Sequence, residues 1–426
     1  MKVLIVGNGG REHALAWKLL QSEVDQVVCV PGNGGTATLK GCNNLPLPVD
    51  DFQGIAQFAL DHGISLVVVG PELPLSLGIS DYLRSQGITV FGPTQAGAQI
   101  EASKSWAKDL MQSAGIPTAP SQSFTELEAA KAYIQAQGAP IVVKVDGLAA
   151  GKGVTVATTV EQAWTAVEDA FTGAFGIAGQ RVVVEECLTG QEVSVLALTD
   201  GLSVRLLLPA QDHKRIGEAD TGANTGGMGA YAPVPIMTPE LLDRIQQDIL
   251  EPVVATLRAR GIDYRGVLYA GLMITPSGEP KVIEFNCRFG DPETQAILPL
   301  LATPLATLLL ACSEQCLAAA PPIKWKPGVA VCVVTAAQGY PGAYAKGQVI
   351  AGIDQAEGPN VAVFHAGTKL QGQQLVTDGG RVLGVTAWGE NFEQAIARSY
   401  AAVEAILYEG KYYRQDIGYR VKTVGG

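Results

Sequence analysis

Short apolar runs alternate with helical patterns through the first hundred residues of the chain. The runs at 3–6, 26–30, 66–69 and 89–91 are rich in Val, Ile, Leu and Phe, as strands buried on both faces require. Between them, 12–21, 52–62 and 76–86 place apolar residues at helical spacing. Strand–helix–strand order predicts an open parallel sheet with right-handed crossovers. A polar helix over 96–114 follows, with Lys104 in its first half and a stop at Gly115-Ile116-Pro117. A smaller α/β unit over 121–187 holds strands at 141–145, 154–157 and 182–186. Strands at 192–198 and 203–208 precede a glycine-rich stretch, 217–231, with no regular pattern. A helix over 240–260 and strands at 266–274 and 280–286 complete this half. After Pro321-Pro322 and Pro327 the pattern predicts strands at 329–335, 361–368, 370–377 and 381–388, then a helix over 392–406. No internal repeat or low-complexity tract interrupts it.

A length of 426 residues predicts two to four domains of the α/β class. With 47% hydrophobic and 17% charged residues, the chain can bury a large core. A net charge of −11 weighs against a general nucleic-acid surface but leaves room for a local basic pocket. The seven cysteines are scattered, and the one close pair, Cys312 and Cys316, has no neighbouring His, so free thiols in a reducing cytosol fit better than zinc or disulfides. Met1-Lys2 leads straight into an apolar strand, without the pattern of a cleavable signal. The most apolar stretch, 297–317, is broken by Pro299 and Pro304 and carries Glu314, which predicts a buried helix rather than a membrane span.

Chemistry concentrates in a few segments. In Lys281-Val-Ile-Glu-Phe-Asn-Cys-Arg-Phe-Gly-Asp-Pro-Glu293, strand alternation puts Glu284 and Asn286 on one face, a carboxylate beside an amide carbonyl, which suits Mg²⁺. Arg288 follows on the same parity and Gly290 makes a turn; an exposed strand edge with scattered charge is the plain alternative. Gly7-Asn8-Gly9-Gly10-Arg11-Glu12 lies where a strand becomes a helix, a place for an anion. Glu12 stands where a dinucleotide fingerprint wants its third glycine, and Pro31-Gly32-Asn33-Gly34-Gly35 replaces the ribose-binding acid, so two glycine loops suit a sugar phosphate better than NAD. Glu72, after the strand at 66–69, is placed to hold sugar hydroxyls or is a loop acid. Lys144 follows two valines on a strand and needs an anion, and the small residues after it end in Gly151-Lys152-Gly153, a flap over phosphates but not a Walker A loop. Glu185 and Glu186 end an apolar strand on alternate faces, and with Leu188 and Glu192 the segment suits an adenine pocket. In Asp212-His213-Lys214-Arg215, His213 reads as a base or a structural imidazole, and the cationic pair after it as a stabiliser of a transferring phosphoryl group.

These residues together resemble the ATP-grasp superfamily and, within it, the phosphoribosylamine–glycine ligase (glycinamide ribonucleotide synthetase) family. The match runs nearly the whole length, and the Asp212–Gly229 and Glu284–Glu293 stretches are its most specific parts. The resemblance implies a Rossmann-like N-terminal domain over 1–105, a two-lobed ATP-grasp domain over 106–325 with a mobile lid near 123–190, and a small α+β C-terminal domain over 326–426. It implies that ATP, with Mg²⁺ or Mn²⁺, joins glycine to 5-phosphoribosylamine through a glycyl phosphate. In that reading Glu284 and Asn286 hold the metal, and Lys104, Lys144, Gly151, Gly153, Glu185, Glu186, Leu188 and Glu192 bind ATP. Lys214 and Arg288 face the transferring group, Asp212 holds the glycine ammonium, and Gly9, Gly10, Glu72, Arg288 and Gly290 meet the ribosylamine. Tyr269 stands where many ATP-grasp enzymes carry a second acid, which implies a metal site with fewer carboxylates. The implied molecule is a cytoplasmic monomer without nucleic-acid or membrane partners, in passing contact with other enzymes of purine synthesis. A biotin carboxylase-like enzyme, a NAD(P)-dependent oxidoreductase and a non-catalytic nucleotide sensor are the competing readings. The Asp212–Gly229 stretch, Glu12, and the retained Lys144, Glu284, Asn286 and Arg288 argue against them in turn.

Overall fold

The N-terminal apolar runs pair as a five-stranded parallel sheet in the order Cys42–Asn44, Gln26–Pro31, Lys2–Gly7, Leu66–Val69, Val90–Phe91. The computed structural model of this chain describes residues 1–149 and 153–422. Strand order reverses beside Lys2–Gly7, so the loops after Gly7 and Val69 open one crevice at the carboxyl ends of neighbouring strands. The helix expected over 76–86 is two, Glu72–Ser76 and Ile79–Ser85, separated by Gly78 at φ 91°. The helix expected over 96–114 is also two, Gln95–Ala102 and Lys104–Ser113. Ser103 breaks it by turning extended and capping the second helix with its hydroxyl on the Trp106 N–H at 3.2 Å.

A separate antiparallel sheet orders Ser121–Phe124, Val182–Glu186, Ile141–Val145 and Val154–Ala157. Helices Leu127–Gln137 and Val160–Asp169 cover it, and Ile134, Val143, Val167 and Val184 belong to a small core of its own. A third sheet orders Val204–Leu206, Gln191–Thr199, Gly266–Ile274 and Pro280–Asn286. The register of its last pair sets Tyr269 opposite Asn286 and Gly271 opposite Glu284.

The glycine-rich stretch is more regular than its sequence suggests. Arg215–Gly217 and Thr221–Asn224 form a hairpin, and Gly229–Ala232 pairs with Gln211–Asp212 and Val329–Ala337 in the C-terminal sheet. Glycine there reflects close approach, because a Cβ on Gly229 would lie 2.7 Å from the Cys332 carbonyl oxygen. Arg381–Gly389 and Val361–His365 extend that sheet, and helix Phe392–Ala405 packs on it. The strand expected over 370–377 is a hairpin, Thr368–Gln371 with Gln374–Thr377. The apolar stretch after 292 is buried and broken into Glu293–Ile297, a turn at Leu298–Leu300, and Leu305–Ser313. No helix among the described residues is long and apolar enough to cross a membrane.

Candidate active site

The sheets meet around a cleft of about 1120 Å³. Strand Pro280–Asn286 forms its floor, where Glu284 and Asn286 share the face that alternation assigns them. Burial pushes the Glu284 carboxyl up, but the field of Lys214, Lys144, Lys104 and Arg288 outweighs it and holds the group below its usual range. No hydrogen bond or ion pair from the described residues occupies that carboxylate. The Asn286 carbonyl oxygen accepts from Arg288 at 3.1 Å. Arg288 also reaches Glu101 at 2.8 Å and Glu72 at 3.3 Å, which ties the floor to the N-terminal crevice. Glu101, which the motifs did not single out, accepts the Cys287 N–H at 2.9 Å.

Lys104 opens helix Lys104–Ser113 and donates to the Gly147 carbonyl at 2.9 Å. Lys144 is buried, donates to the Ile283 carbonyl at 2.9 Å and pairs with Glu185. Lys108 holds the other side of Glu185 at 2.6 Å, so this carboxylate lies between two ammonium groups. Lys108 is one helical turn from Lys104, a spacing that could have revealed it. Glu185 is buried and Glu186 exposed, as their alternation requires. Both line the cleft, with Leu188, Gly190 and Glu192. Gly153 lines the cleft as well, while Gly151 lies outside the described residues.

Lys214 pairs with Glu192 at 2.6 Å. Burial lowers the Lys214 affinity for its proton, but Glu192, Asp212 and Glu284 more than reverse that, and it stays an ammonium. Burial pushes the neighbouring Asp212 carboxyl up to about 7 against the pull of Lys214 and Arg420. His213 points the other way. Its ring lies 6.0 Å from that of Tyr231 and 5.8 Å from that of Tyr419, and its Nε2 accepts the Gly418 N–H at 3.2 Å. Burial holds it down to about 3, so it is a neutral structural imidazole.

The glycines of the crevice make room rather than line it. Gly9, Gly10 and Gly290 are not among the residues facing the cleft, whereas Arg11 and Glu72 are. Glu12 folds back to accept the Gly9 N–H at 2.6 Å. A Cβ on Gly7 would fall 2.5 Å from its Cγ, and one on Gly70 2.0 Å from its Oε1. The residue that spoils a dinucleotide fingerprint therefore fills the loop itself, and an anion there would compete with a carboxylate. A Cβ on Gly290 would sit 2.4 Å from Glu293, which accepts the Tyr269 hydroxyl at 2.5 Å. A phenol thus stands opposite Asn286 with a carboxylate behind it. Among the described residues no group of three or more His, Cys, Asp or Glu is gathered as for a metal, so a cation at Glu284 and Asn286 must draw most of its ligands from phosphate and water. Arg381, Tyr419 and Arg420, which the motifs also left out, complete the lining from the C-terminal part.

Residues 1–101, 102–294 and 330–420 match the models for phosphoribosylglycinamide synthetase, its N domain, ATP-grasp (A) domain and C domain respectively. A phosphoribosylamine–glycine ligase from a Nostoc species is 70% identical over 99% of this chain and 100% of its own length. The one from Vibrio cholerae is 50% identical over 99% of this chain and 98% of its own. The crystal structure of phosphoribosylamine–glycine ligase from Thermotoga maritima superposes with a TM-score of 0.84 at 33% identity, covering 98% of this chain and 100% of that one. The biotin carboxylase domain of Hydrogenobacter thermophilus 2-oxoglutarate carboxylase, solved with MgADP, covers 97% of this chain and 91% of its own at 18% identity and a TM-score of 0.71, which is a likeness of fold alone.

Proposed function

The chain belongs to the phosphoribosylglycinamide synthetase family, and from that premise we propose how its cleft divides the work. The enzyme ligates glycine to phosphoribosylamine with ATP, a step of purine biosynthesis. The observation that carries the reading of the site is Glu284, an ionised carboxylate that no hydrogen bond or ion pair among the described residues occupies, held in the field of four cations in a cleft of about 1120 Å³.

A glycine carboxylate is too poor an electrophile for an amine at neutral pH. Phosphorylation by the γ-phosphoryl group of ATP gives glycyl phosphate, and attack by the ribosylamine nitrogen then expels phosphate. Such transfers ask the protein for position and charge neutralisation rather than covalent help. Lys104 and Lys144 hold the α- and β-phosphates, and Lys214 and Arg288 face the group in flight. Asp212, as an anion, holds the glycine ammonium. The strand end at Glu185, Glu186 and Leu188 takes the adenine. Glu192, already bound to Lys214, links the nucleoside end of the cleft to the reacting end. Glu72 and Arg288 hold the ribosylamine, with Gly9, Gly10 and Gly290 shaping the loops around it. Glu284 and Asn286 are the residues that would hold a divalent cation, Mg²⁺ or Mn²⁺, which when bound neutralises phosphate charge. The loop that runs from Gly147 and returns at Gly153 is the flap that keeps water from the acyl phosphate.

Phosphate release from ATP, measured with glycine and freshly generated phosphoribosylamine separately and together, tests this reading. Release that needs both and yields glycinamide ribonucleotide is the expected result. Release that ignores glycine and needs bicarbonate and biotin would overturn it.

A further inference from the structure

The turn Tyr419–Lys422 brings two side chains from the C-terminal end of the described chain to the rim of the cleft. Arg420 donates through Nη1 to the Asp212 carbonyl at 3.0 Å and through Nε to the Tyr419 hydroxyl at 3.2 Å, and it pairs through Nη2 with Asp220. Asp220 caps the hairpin that follows Lys214. It also takes Arg414 Nη1 at 2.8 Å and the Tyr419 hydroxyl at 2.8 Å. Arg414 is fully buried, donates to the Arg215 carbonyl at 3.1 Å and is held by Asp416 at 2.7 Å. Asp416 in turn accepts the Ala219 N–H at 2.8 Å. Ala219 and Asp220 have φ of 52° and 55°, a left-handed conformation that residues with a Cβ keep only where their surroundings hold them. The C-terminal segment is therefore a clamp around both ends of the hairpin, and Arg420 is the part of it that touches the backbone at Asp212.

We propose that Arg420 is a positioning residue of the active site, whose guanidinium fork spans the Asp212 carbonyl and the Asp220 carboxylate and so fixes where Asp212 and Lys214 meet the substrate amino acid and the transferring phosphoryl group. The inference rests on the roles given above to Asp212 and Lys214. A planar fork can bridge two acceptors on different elements at set angles, and a lysine ammonium cannot reproduce that geometry. Small displacements of such groups are costly because the reacting atoms must be aligned to within about 0.5 Å.

The full chain carrying Arg420→Lys or Arg420→Gln, assayed by phosphate release with both substrates, is the test. Both variants should raise the KM for glycine about tenfold, on the scale of one charge-assisted hydrogen bond. The KM for ATP should change less, within about twofold, because Lys104 and Lys144, which hold the α- and β-phosphates, are not moved, while kcat should fall with the displacement of Lys214 from the transferring group. Arg420→Lys should keep its melting temperature. Asp220→Asn, which removes the other end of the fork, should show the same selective effect and serves where Arg420→Gln does not fold. An unchanged glycine KM in Arg420→Lys overturns the proposal. So does an equal loss in every parameter together with a lowered melting temperature, which would mark a merely structural arginine. An unmutated enzyme that releases phosphate without glycine overturns the roles of Asp212 and Lys214, and this inference with them, and is told apart because no substitution is needed to see it.

Discussion

Glu284 and Asp212 are both acids in the same cleft, yet their surroundings move them in opposite directions. At Glu284 four cations outweigh burial, and the group stays ionised. Its replacement in Glu284→Gln keeps shape and removes charge. Turnover should fall by about two to three orders of magnitude, the scale of losing one preorganised electrostatic contact, while the folded state is retained by circular dichroism. Near-normal turnover at low Mg²⁺ would remove Glu284 from the phosphate site. At Asp212 burial wins and pushes the carboxyl up to about 7. Only the anion attracts an ammonium group, so kcat/KM for glycine should climb with pH through about 7 in the free enzyme and level off above it. Asp212→Asn should lower that constant and flatten the climb, and an unaltered acid limb in the variant would assign it to another group. Both residues were legible in the sequence, Glu284 by strand parity and Asp212 through the family resemblance. Glu101 was not, because a single acid in a helix pattern reads as surface, and only the fold brings it to Arg288 from 187 positions away.

Asp146 shows how one side chain joins two elements. It follows strand Ile141–Val145 of the four-stranded antiparallel sheet, and its carboxylate accepts the Ser105 N–H at 3.1 Å and the Ser103 hydroxyl at 3.0 Å. It thereby caps helix Lys104–Ser113 from outside, next to the Lys104 contact with Gly147. Asp146→Ala should loosen the first turn of that helix by about 1 kcal/mol, the usual worth of a cap, and raise the KM for ATP through Lys104. Faster amide exchange over Lys104–Ser113 checks the first effect, and an unchanged exchange rate there would show that the cap is idle. Elements of this kind divide sharply in how far the sequence reveals them. Ile141–Val145, Val182–Glu186 and Gly266–Ile274 are near-continuous apolar runs, and the pattern places them to the residue. The break at Ser103 was missed because apolar spacing continues across it, and although Ser103 caps the second helix locally, the carboxylate that holds Ser103 and Ser105 in place comes from 41 to 43 positions away. The hairpin at Arg215–Asn224 was hidden for another reason. Its glycines carry no apolar alternation, and its partners lie in the last dozen described residues.

Distant parts of the chain are sewn together through imidazoles that are buried and uncharged. His13 accepts the His365 N–H at 2.9 Å, and Asn33 beside it donates to the His365 carbonyl at 2.7 Å, which joins the N-terminal crevice to the C-terminal sheet. His213 does the same for the Asp212–Lys214 segment and the C-terminal clamp. Burial holds His13 well below its ordinary value, His365 down to about 4 and His213 down to about 3. An unfolded histidine takes up its proton near pH 6.5, so below that the unfolded chain binds more protons than the folded one at these three sites. Their contribution is complete above about pH 6.5 and is lost as pH falls toward the folded values, at about 1.4 kcal/mol per pH unit for each. Asp212 works in the opposite sense. Its folded value near 7 lies above its unfolded one, so the folded chain holds an extra proton below that pH and regains part of the loss. Three histidines against Asp212 leave a net fall, and lowering the pH from 7 to 5.5 should cost about 2 kcal/mol of unfolding free energy in urea titrations. His365→Gln, which cannot take up a proton, should make the decline shallower even if it lowers stability at pH 7. Stability that holds level or rises between pH 7 and 5.5 would mean that the imidazoles are not held neutral by the fold, and the joints between crevice, sheet and clamp would need another account.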